Sequence, residues 1–496
     1  MLLSSLIHEL DYVKLQGPIY RNVSAIAFDS REVQTPNTLF VAISGFASDG
    51  HLYIDQAISK GASTIIVEKD VEVSSSVTII QVKDARRALA LLSDRFYGRP
   101  TERLNLIGIT GTNGKTSTAY FIKSIYEQAG QNIGVISTIG TMIGDTLSAQ
   151  NNTTPESLYL QQTFADMVAA NIDHCAMEVS SHALNLQRVA YSRFNTGIFT
   201  NLSPDHLELH HDMEQYFQAK AQLFRMTSKH NIINADDPYG RRLISMCSGY
   251  STEFITYGID HDADIYASDI QYFADHSLYT LNTPSGRIDI KVNLPGTIYV
   301  YNTLAAISCA YADHLSLHDI KEGISAVTSI KGRFEVIHQD EDRKVIVDFA
   351  HTEDGLEKAL LTLRPFAKGR ILLVFGVYAA DGETGKRKRS AMARVAAKLA
   401  DLSIVTSDNP KEQNPEVIIE EISNAISKAE GNYYTRMDRK EAIELALKLS
   451  GPGDIILIAG KGHETSQIIG SREIPFDEAQ IVQDFFKGGV GLSSGV

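Results

Sequence analysis

A glycine-rich turn between an apolar run and an amphipathic run is the strongest chemical signal in the sequence. The stretch Ile107–Tyr120 (IGITGTNGKTSTAY) predicts the end of a buried strand, a turn with Gly111 and Gly114, and a helix that begins near Lys115. Main-chain N–H groups in such a turn converge on one point, where the helix dipole favours an anion. Lys115 would reach the terminal phosphates of a nucleotide, and the hydroxyl of Thr116 suits Mg²⁺. The turn therefore predicts a site for ATP.

The turn differs in one respect from the general phosphate-loop pattern. Where that pattern has its first glycine, this sequence has Ile109, so only the shorter form from Gly111 to Thr116 fits. An ordinary glycine-rich turn with an incidental lysine is the alternative interpretation. The strand predicted before the turn and the helix predicted after it argue against that alternative.

Carboxylates and histidines gather at two further places in the same part of the chain. Glu178 ends an apolar run (HCAMEVSSH), and a carboxylate after a buried strand near a phosphate loop lies where an Mg²⁺ ligand is needed. The stretch 200–224 (TNLSPDHLELHHDMEQYFQAKAQLF) crowds acidic residues and histidines before Lys220, which falls in a predicted helix. A solvated, charged loop before an amphipathic helix is the alternative for this second place.

Polar residues also follow three apolar runs in the last third of the chain. They are Asp348 and His351 after the first run, Asp408, Asn409 and Lys411 after the second, and Gly460, Lys461, His463 and Glu464 after the third. Any one group could be a hydrogen-bonded turn, and Asp-Asn-Pro in particular is common in turns. Because open α/β sheets bind ligands at the carboxyl ends of their strands, three such ends on one sheet favour a binding site.

The pattern of apolar runs predicts an α/β fold with three domains. Short strands alternate with helices in residues 1–100. Residues 101–330 contain the phosphate loop and a mostly parallel sheet, followed by a stretch near 263–294 whose alternation of apolar and polar residues is typical of antiparallel strands. Residues 331–496 alternate strand and helix again, which predicts a second doubly wound sheet.

Composition excludes several classes of function. The 496 residues include 46 Lys and Arg against 60 Asp and Glu, a net charge of −14, whereas nonspecific nucleic-acid binding needs a basic face. The three cysteines form no CxxC pair, so neither a disulfide framework nor a zinc site is indicated. No apolar run approaches the ~20 residues of a membrane span, and the N-terminus lacks the basic start of a secretory signal. A cytoplasmic protein is expected.

Taken in order, the motifs resemble those of the Mur ligase superfamily. They are TGTNGKT, EVSSH, DHLxxH followed by AKxxLF, NADD, YNxLAA, GRFE, DxAH, DNP and GKGHE. The N-terminal run FDSREV…LFVAISGFASDGHLYIDQAISKGA narrows the resemblance to the MurE-type members, which add the third residue of the peptidoglycan precursor. The resemblance covers residues 22–483. It implies an N-terminal UDP-substrate domain (1–100), a central phosphate-loop ATPase domain (101–330) and a C-terminal Rossmann-like domain for the amino acid (331–496).

The resemblance also implies a reaction. An amino acid is joined to UDP-MurNAc-L-Ala-D-Glu at the expense of ATP through an acyl phosphate, because a carboxylate does not accept an amine at neutral pH until one oxygen becomes a good leaving group. Two Mg²⁺ ions and Lys115 would offset the repulsion between carboxylate and triphosphate. The partners implied are small molecules, with no nucleic acid and no membrane span, and the expected state is a monomer.

Residue roles follow from the same resemblance, position by position. The lysine of the AKxxLF motif, Lys220, would be carbamylated and hold a metal, and the catalytic residues would be Lys115, Lys220 and His206. Metal ligands would be Thr116, Glu178, His206 and Lys220. The nucleotide would contact Gly111, Thr112, Asn113, Gly114, Lys115, Thr116, Asn302, Arg333, Asp348 and His351. The UDP-sugar-peptide would contact Ser30, Asn152, Thr153, Thr154, Ser180 and Arg188, and the amino acid Asp408, Asn409, Lys411, Gly460 and Glu464.

The residues that would select the amino acid depart from the family pattern. Diaminopimelate-adding members carry DNPR, and this chain has Lys411 in place of that arginine, which keeps the charge but loses the planar fork. Their GGDRD loop, with a second arginine, is replaced by VYAADGETGKRKRSAM, where Lys386, Arg387, Lys388 or Arg389 could substitute.

A carboxylate-bearing amino acid such as meso-diaminopimelate remains the expectation. Lys411 would repel the distal ammonium of a lysine substrate, and GKGHE is the diaminopimelate-type form. The alternatives are another Mur-superfamily ligase of the folylpolyglutamate or cyanophycin type, and a phosphate-loop ATPase that acts as a switch.

Overall fold

The described residues form three large sheets that follow one another along the chain, each flanked by helices, and one two-stranded sheet near the C-terminus. The computed structural model describes residues 1–45, 48–150, 152–205, 207–379 and 382–489. Within these ranges no helix is long and apolar enough to span a membrane. The α/β class predicted from the apolar runs is confirmed.

The first sheet is five-stranded in the described residues and lies in the N-terminal part of the chain. Its strands are β1 (Tyr12–Gln16), β2 (Ala25–Ala27), β3 (Thr38–Val41), β4 (Ala62–Val67) and β5 (Thr78–Val82), and its helices are α1 (Leu3–Leu6), α2 (Ile54–Ser59) and α3 (Ala85–Phe96). The strand order is β1-β5-β4-β3-β2, with β1 antiparallel to β5 and the other pairs parallel. The carboxylate of Asp84 accepts a hydrogen bond from Arg87 N and so caps α3.

The second sheet carries the phosphate loop. Its strands are β6 (Asn105–Thr110), β7 (Ile133–Ser137), β8 (Gly140–Ile143), β9 (Thr146–Ser148), β10 (His174–Glu178), β11 (Phe194–Phe199), β12 (Thr227–Asn234), β13 (Glu253–Gly258), β14 (Ile265–Tyr272), β15 (Ser277–Thr283) and β16 (Gly286–Val292). Its helices are α4 (Lys115–Gln128), α5 (Ser157–Ala169), α6 (Ser181–Asn185), α7 (Leu207–His210), α8 (Met213–Ala221), α9 (Pro238–Cys247), α10 (Thr297–Ala312) and α11 (Leu317–Ala326).

Strand β6 lies inside this sheet, between β11 and β10, and is parallel to both. Its apolar residues Leu106, Ile107 and Ile109 are fully buried, which explains the continuous apolar run before the loop. Strands β14, β15 and β16 form the antiparallel extension that the alternating pattern predicts.

The third sheet repeats the alternation of strand and helix. Its strands are β17 (Glu335–Gln339), β18 (Arg343–Asp348), β19 (Ile371–Phe375), β20 (Leu402–Val405), β21 (Tyr433–Thr435) and β22 (Asp454–Ala459), followed by the hairpin β23 (Ser466–Ile469) and β24 (Arg472–Pro475). Its helices are α12 (Glu353–Leu363), α13 (Gly382–Leu399), α14 (Pro415–Lys428), α15 (Arg439–Leu449) and α16 (Glu478–Gly489). Strands β18, β22, β19, β20 and β21 are parallel neighbours, so their carboxyl ends share one edge.

That edge faces the phosphate loop. Asn113 Nδ2, in the loop, donates to Asp354 Oδ2 of α12 at 2.8 Å. Arg333, which precedes β17, donates through Nη2 to Thr116 Oγ1 of α4 at 2.8 Å. The second and third sheets therefore enclose a cleft between the start of α4 and the strand ends of the third sheet.

Candidate active site

The phosphate loop between β6 and α4 needs both of its glycines. Gly111 has φ +145°, and a Cβ at that position would lie 1.9 Å from Thr200 Oγ1. Gly114 has φ +90°, and a Cβ there would lie 2.3 Å from Asn302 Oδ1. A side chain at either position would therefore meet both backbone strain and a close neighbour, and the glycines hold the loop's main chain against β11 and α10.

Lys115 closes over this loop. Its Nζ donates to the carbonyl oxygens of Gly111 at 2.9 Å and Thr112 at 2.8 Å. Burial lowers the pKa of Lys115, while the charges of Glu178 and Asp205 act to raise it. An ammonium held in this way beside several main-chain N–H groups suits a polyphosphate.

Glu178, the last residue of β10, is buried at the bottom of the cleft, where its carboxylate binds neighbouring hydroxyl and main-chain N–H groups. Its Oε1 accepts hydrogen bonds from Thr116 Oγ1 at 2.7 Å and Thr138 N at 2.9 Å, and its Oε2 accepts one from Thr138 Oγ1 at 3.1 Å. One carboxylate and neighbouring hydroxyl oxygens are hard donors of the kind that Mg²⁺ prefers. Among the described residues there is no cluster of three or more His, Cys, Asp or Glu.

Lys220 lies on α8 behind the loop and is 2% exposed, so it is not a surface lysine. Its Nζ donates to Gly111 O at 2.8 Å and lies 4.6 Å from the centre of the Tyr216 ring. Burial, reinforced by the charge of Lys115, lowers the pKa of Lys220 well below its ordinary value. His206, predicted to hold a metal beside it, lies outside the described residues.

Asp205 joins the two sides of the cleft. Its Oδ1 lies 2.9 Å from Lys388 Nζ of α13, and its Oδ2 lies 3.7 Å from His351 Nε2. Lys388 also donates to the Tyr378 hydroxyl at 2.7 Å. Since the Asp205 side chain is 4% exposed and that of Lys388 14%, this ion pair is largely shielded from water.

Of the four basic residues considered as substitutes for the missing arginine, Lys388 is thus the one that reaches the cleft. Arg389 donates through Nε to Glu421 Oε2 of α14, because the turn of α13 places Arg389 on the face packed against α14. Lys386 and Arg387 are exposed on the same helix.

Asp348 ends β18, and His351 lies in the turn that follows the strand. Asp348 is half-buried and accepts hydrogen bonds from Phe334 N at 2.6 Å and Ala350 N at 2.9 Å. Burial raises the pKa of Asp348, whereas these hydrogen bonds and the charge of Arg333 lower it. The carboxylate therefore fixes the turn that carries Arg333.

Two cavities lie side by side next to the loop, and both are lined by Asn302. One has a volume of about 230 Å³ and is lined by the loop from Thr112 to Thr116 and, among others, by Glu178, Ser180, Asp205, Lys220, Asn302, Arg333, Asp348 and His351. The other, of about 520 Å³, shares Asn302 with the first and is lined by several tyrosines, including Tyr257, Tyr272 and Tyr301. The first has the charges that phosphates need, and the second offers ring faces next to it.

The residues expected to contact a UDP-sugar-peptide divide into two groups. Thr154 Oγ1 donates to Glu178 O at 2.8 Å and accepts from Ser180 N at 3.1 Å. Thr153 Oγ1 accepts from Thr138 Oγ1 at 3.3 Å, Arg188 Nη1 donates to Thr154 O at 3.0 Å, and Asn152 is exposed.

Ser30 lies apart from that group. It lines a separate cavity of about 550 Å³ beside the first sheet, which also contains Arg86 and Glu156. Glu156 bonds Arg188 Nε at 2.9 Å, so it connects the two groups.

The residues expected to select the amino acid come together at the ends of β20 and β22. Asn409 Nδ2 donates to Glu464 Oε2 at 3.1 Å, and Lys461 Nζ donates to both Asn409 Oδ1 at 3.0 Å and Glu464 Oε2 at 2.6 Å. A Cβ at Gly460 would lie 2.7 Å from Asp408 Oδ2.

Lys411 occupies the rim of this group. It is exposed, has φ +51°, and is anchored by its main chain, which donates to Ile468 O at 3.2 Å and accepts from Gly470 N at 2.8 Å.

Comparison with known proteins agrees with these features. Residues 22–97 match the description "Mur ligase family, catalytic domain", residues 109–310 "Mur ligase middle domain", and residues 332–462 "Mur ligase, glutamate ligase domain". The UDP-N-acetylmuramoyl-L-alanyl-D-glutamate--2,6-diaminopimelate ligase of Alkaliphilus metalliredigens is 43% identical over 487 residues, covering 98% of each chain. The chain belongs to the Mur ligase family. The Mur ligase of the same description from Clostridioides difficile is also 43% identical, covering 98% of this chain and 99% of its own.

Solved structures of Mur ligases share the architecture. A UDP-N-acetylmuramoyl-L-alanyl-D-glutamate--2,6-diaminopimelate ligase aligns with a TM-score of 0.69 and 27% identity over 99% of both chains. MurF from Thermotoga maritima, solved with ADP, aligns with a TM-score of 0.61 over 94% of this chain and 98% of its own, and at 16% identity it shows the fold alone.

Sequence reasoning missed three features of the site. Thr138 donates hydrogen bonds to both carboxylate oxygens of Glu178. Its position could not be recognised from the sequence, because a threonine after an apolar strand is not typical of any one kind of site. Asp205 was visible only as one acidic residue in a crowded loop. Its pairing with Lys388, 183 residues away, depends on how the second and third sheets face each other.

Proposed function

We propose that this Mur ligase joins an amino acid to the D-Glu γ-carboxylate of UDP-MurNAc-L-Ala-D-Glu, with ATP as the second substrate. The observation that carries the proposal is the single cleft in which the phosphate loop and Glu178 face Asp205, Lys388 and Arg333. Both relatives described above are named as ligases of UDP-N-acetylmuramoyl-L-alanyl-D-glutamate, which supports the choice of the UDP-linked substrate.

The proposed chemistry has two steps. The D-Glu carboxylate oxygen attacks the γ-phosphorus of ATP, the bond to the β,γ-bridging oxygen breaks, and ADP leaves. The amine of the incoming amino acid then attacks the acyl carbon, loses a proton, and inorganic phosphate leaves as the amide forms. A carboxylate becomes reactive toward an amine only through such a leaving group.

The chain's own residues bind and orient the reacting groups. The main-chain N–H groups between Gly111 and Thr116, with Lys115, would hold the β- and γ-phosphates, and Arg333 would fix Thr116. Mg²⁺ held by Thr116 and Glu178 would supply positive charge that reduces the repulsion between carboxylate and triphosphate. Asn302, at van der Waals reach of Gly114, would contact the nucleotide from α10.

Lys220 is proposed to be carbamylated. Its amine is buried, and this burial lowers its pKa well below the ordinary value, which favours the neutral, nucleophilic form. The ammonium group first loses one proton to solvent, and the neutral amine nitrogen then adds to the carbon of CO₂ and loses a second proton. A cation thereby becomes an anion. That change removes the repulsion between Lys220 and Lys115 and provides a carboxylate for a second metal, for which His206 remains the predicted partner.

Meso-diaminopimelate is the proposed amino acid. Lys411 supplies a positive charge at the rim of the group formed by Asp408, Asn409 and Glu464, and this charge suits a distal carboxylate better than a distal ammonium. Both relatives bear the name of diaminopimelate ligases, which favours the same choice.

Lys411→Ala is expected to raise the KM for meso-diaminopimelate about 10-fold or more and to leave kcat nearly unchanged, since an exposed rim charge contributes to binding rather than to chemistry. Steady-state kinetics with varied diaminopimelate measures the effect. Lys411→Arg is the matched control and should keep a KM close to that of the natural protein. An unchanged KM in the alanine variant would remove Lys411 from the selecting group.

One assay separates this function from its alternatives. ADP release is measured with UDP-MurNAc-L-Ala-D-Glu and a panel of amino acids, each added alone and together. We expect sustained release only when the UDP substrate and one amino acid are both present. Release that ignores both additions would favour a nucleotide switch, and release that needs a different acceptor would favour a ligase of the folylpolyglutamate type.

A further inference from the structure

Two glycine-bearing turns of the third sheet are packed main chain against main chain. A Cβ at Gly332, in the turn before β17, would lie 2.1 Å from His463 N and 2.4 Å from Gly462 C. In the opposite direction, a Cβ at Gly462 would lie 2.7 Å from Gly332 O and 2.8 Å from Phe349 Cβ. Main-chain atoms cannot rotate away as a flexible side chain does, so neither turn can shift without moving the other.

The first of these turns carries a nucleotide-facing residue. Arg333 directly follows Gly332, donates to Thr116 Oγ1 at 2.8 Å, and lies 4.4 Å from the centre of the Phe349 ring. Phe349 N donates to Gly332 O at 3.0 Å. The position of the Arg333 guanidinium is therefore tied to the main chain of Gly332.

The second turn carries the residues that face the amino acid. Gly462 lies between Gly460 and Glu464, and Lys461 Nζ, which is fully buried, bonds Glu464 Oε2 at 2.6 Å. The His463 ring packs 5.0 Å from the Phe349 ring. Burial lowers the pKa of His463 to about 3, so this packing involves the neutral imidazole at physiological pH.

We propose that Gly332 and Gly462 are positioning residues that couple the amino-acid site to the ATP site. The proposal rests on the function given above. An amino acid bound by the turn from Gly460 to Glu464 holds Gly462 against Gly332 and so keeps Arg333 on Thr116. Because coupling between two ligands is reciprocal, a bound nucleotide strengthens binding of the amino acid by the same factor.

The test uses the full chain and binding measurements that need no turnover. Calorimetry gives the Kd of Mg·ADP for the natural protein, Gly462→Ala and the matched control Gly144→Ala. Gly462 and Gly144 both have φ +57°, but a Cβ at Gly144, in the turn between β8 and β9, meets nothing within 4 Å. The two variants therefore share a positive φ and differ in the contacts that the new Cβ makes with Gly332 and Phe349.

We expect Gly462→Ala to raise the Kd for ADP about 10-fold, within the usual range of coupling between sites, and Gly144→Ala to change it less than about 2-fold. In an Arg333→Ala background, Gly462→Ala should add no further loss, because the contact acts through that arginine. Equal effects of the two glycine variants, or additive losses with Arg333→Ala, would overturn the proposal.

A second measurement covers the case in which Gly462→Ala does not fold. The Kd for ADP is measured on the natural protein and on Arg333→Ala, with and without saturating meso-diaminopimelate. The natural protein should bind ADP at least about 5-fold more tightly when the amino acid is present, and Arg333→Ala should lose that factor. If meso-diaminopimelate does not tighten ADP binding to the natural protein, the proposed coupling is wrong. The proposed function is tested separately, by whether ADP release requires both substrates, so the two proposals can fail independently.

Discussion

Lys220→Ala is expected to lower kcat for ADP release by about 100- to 1000-fold, the range seen when one charge-stabilising group is removed from an active site. The reason is that the variant loses the anion that a carbamate on Lys220 would place beside the phosphate loop. In the unmodified side chain, Lys220 Nζ lies 2.8 Å from Gly111 O of that loop. Steady-state ADP release under saturating substrates measures the loss.

Lys229→Ala is the control for this prediction, because Lys229 is an exposed lysine on β12. Short carboxylic acids should partly restore activity to Lys220→Ala and not change Lys229→Ala. Labelled bicarbonate should give a carbamate signal by ¹³C NMR in the natural protein that Lys220→Ala lacks. Full activity of Lys220→Ala, or the same carbamate signal in both, would count against the assignment.

Lys388→Ala is expected to lower kcat/KM about 100-fold, a loss typical of reacting groups that are misplaced by roughly 1 Å. The variant removes the cation that joins α13 to Asp205 at 2.9 Å across the cleft, so the second and third sheets would be held less firmly in the closed arrangement. Kinetics with the UDP substrate varied at saturating ATP and diaminopimelate measures this effect.

Lys386→Ala is the matched control for Lys388, since Lys386 lies on the same helix two residues earlier and is exposed. It removes the same charge without touching Asp205 and should change kcat/KM less than about 2-fold. Equal losses in the two variants would mean that helix α13 acts through its overall charge rather than through the contact with Asp205.

The local chemistry of the site was predictable from sequence. Gly111 and Gly114 adopt positive φ and have no room for a Cβ, which is the physical reason for the glycine spacing that indicated the phosphate loop. Glu178 ends its strand beside that loop, and the groups around Asp348, Asp408 and Glu464 share one sheet edge because parallel strands place their carboxyl ends together.

Contacts between distant parts of the chain were not predictable in the same way. The pair of Asp205 and Lys388, and the packing of Gly332 on Gly462, depend on the relative placement of turns that are far apart in sequence. The sequence left Lys386, Arg387, Lys388 and Arg389 open as alternatives, because helical phase rather than charge decides which of four consecutive basic residues faces the cleft.

The transfer of oxygen from the substrate carboxylate to phosphate tests the central idea most directly. UDP-MurNAc-L-Ala-D-Glu labelled with ¹⁸O in the γ-carboxylate is converted with unlabelled ATP and meso-diaminopimelate, and the inorganic phosphate is analysed by mass spectrometry. Activation of the carboxylate by ATP in the cleft predicts one ¹⁸O atom in each phosphate released. Phosphate without the label, formed together with the amide, would contradict it.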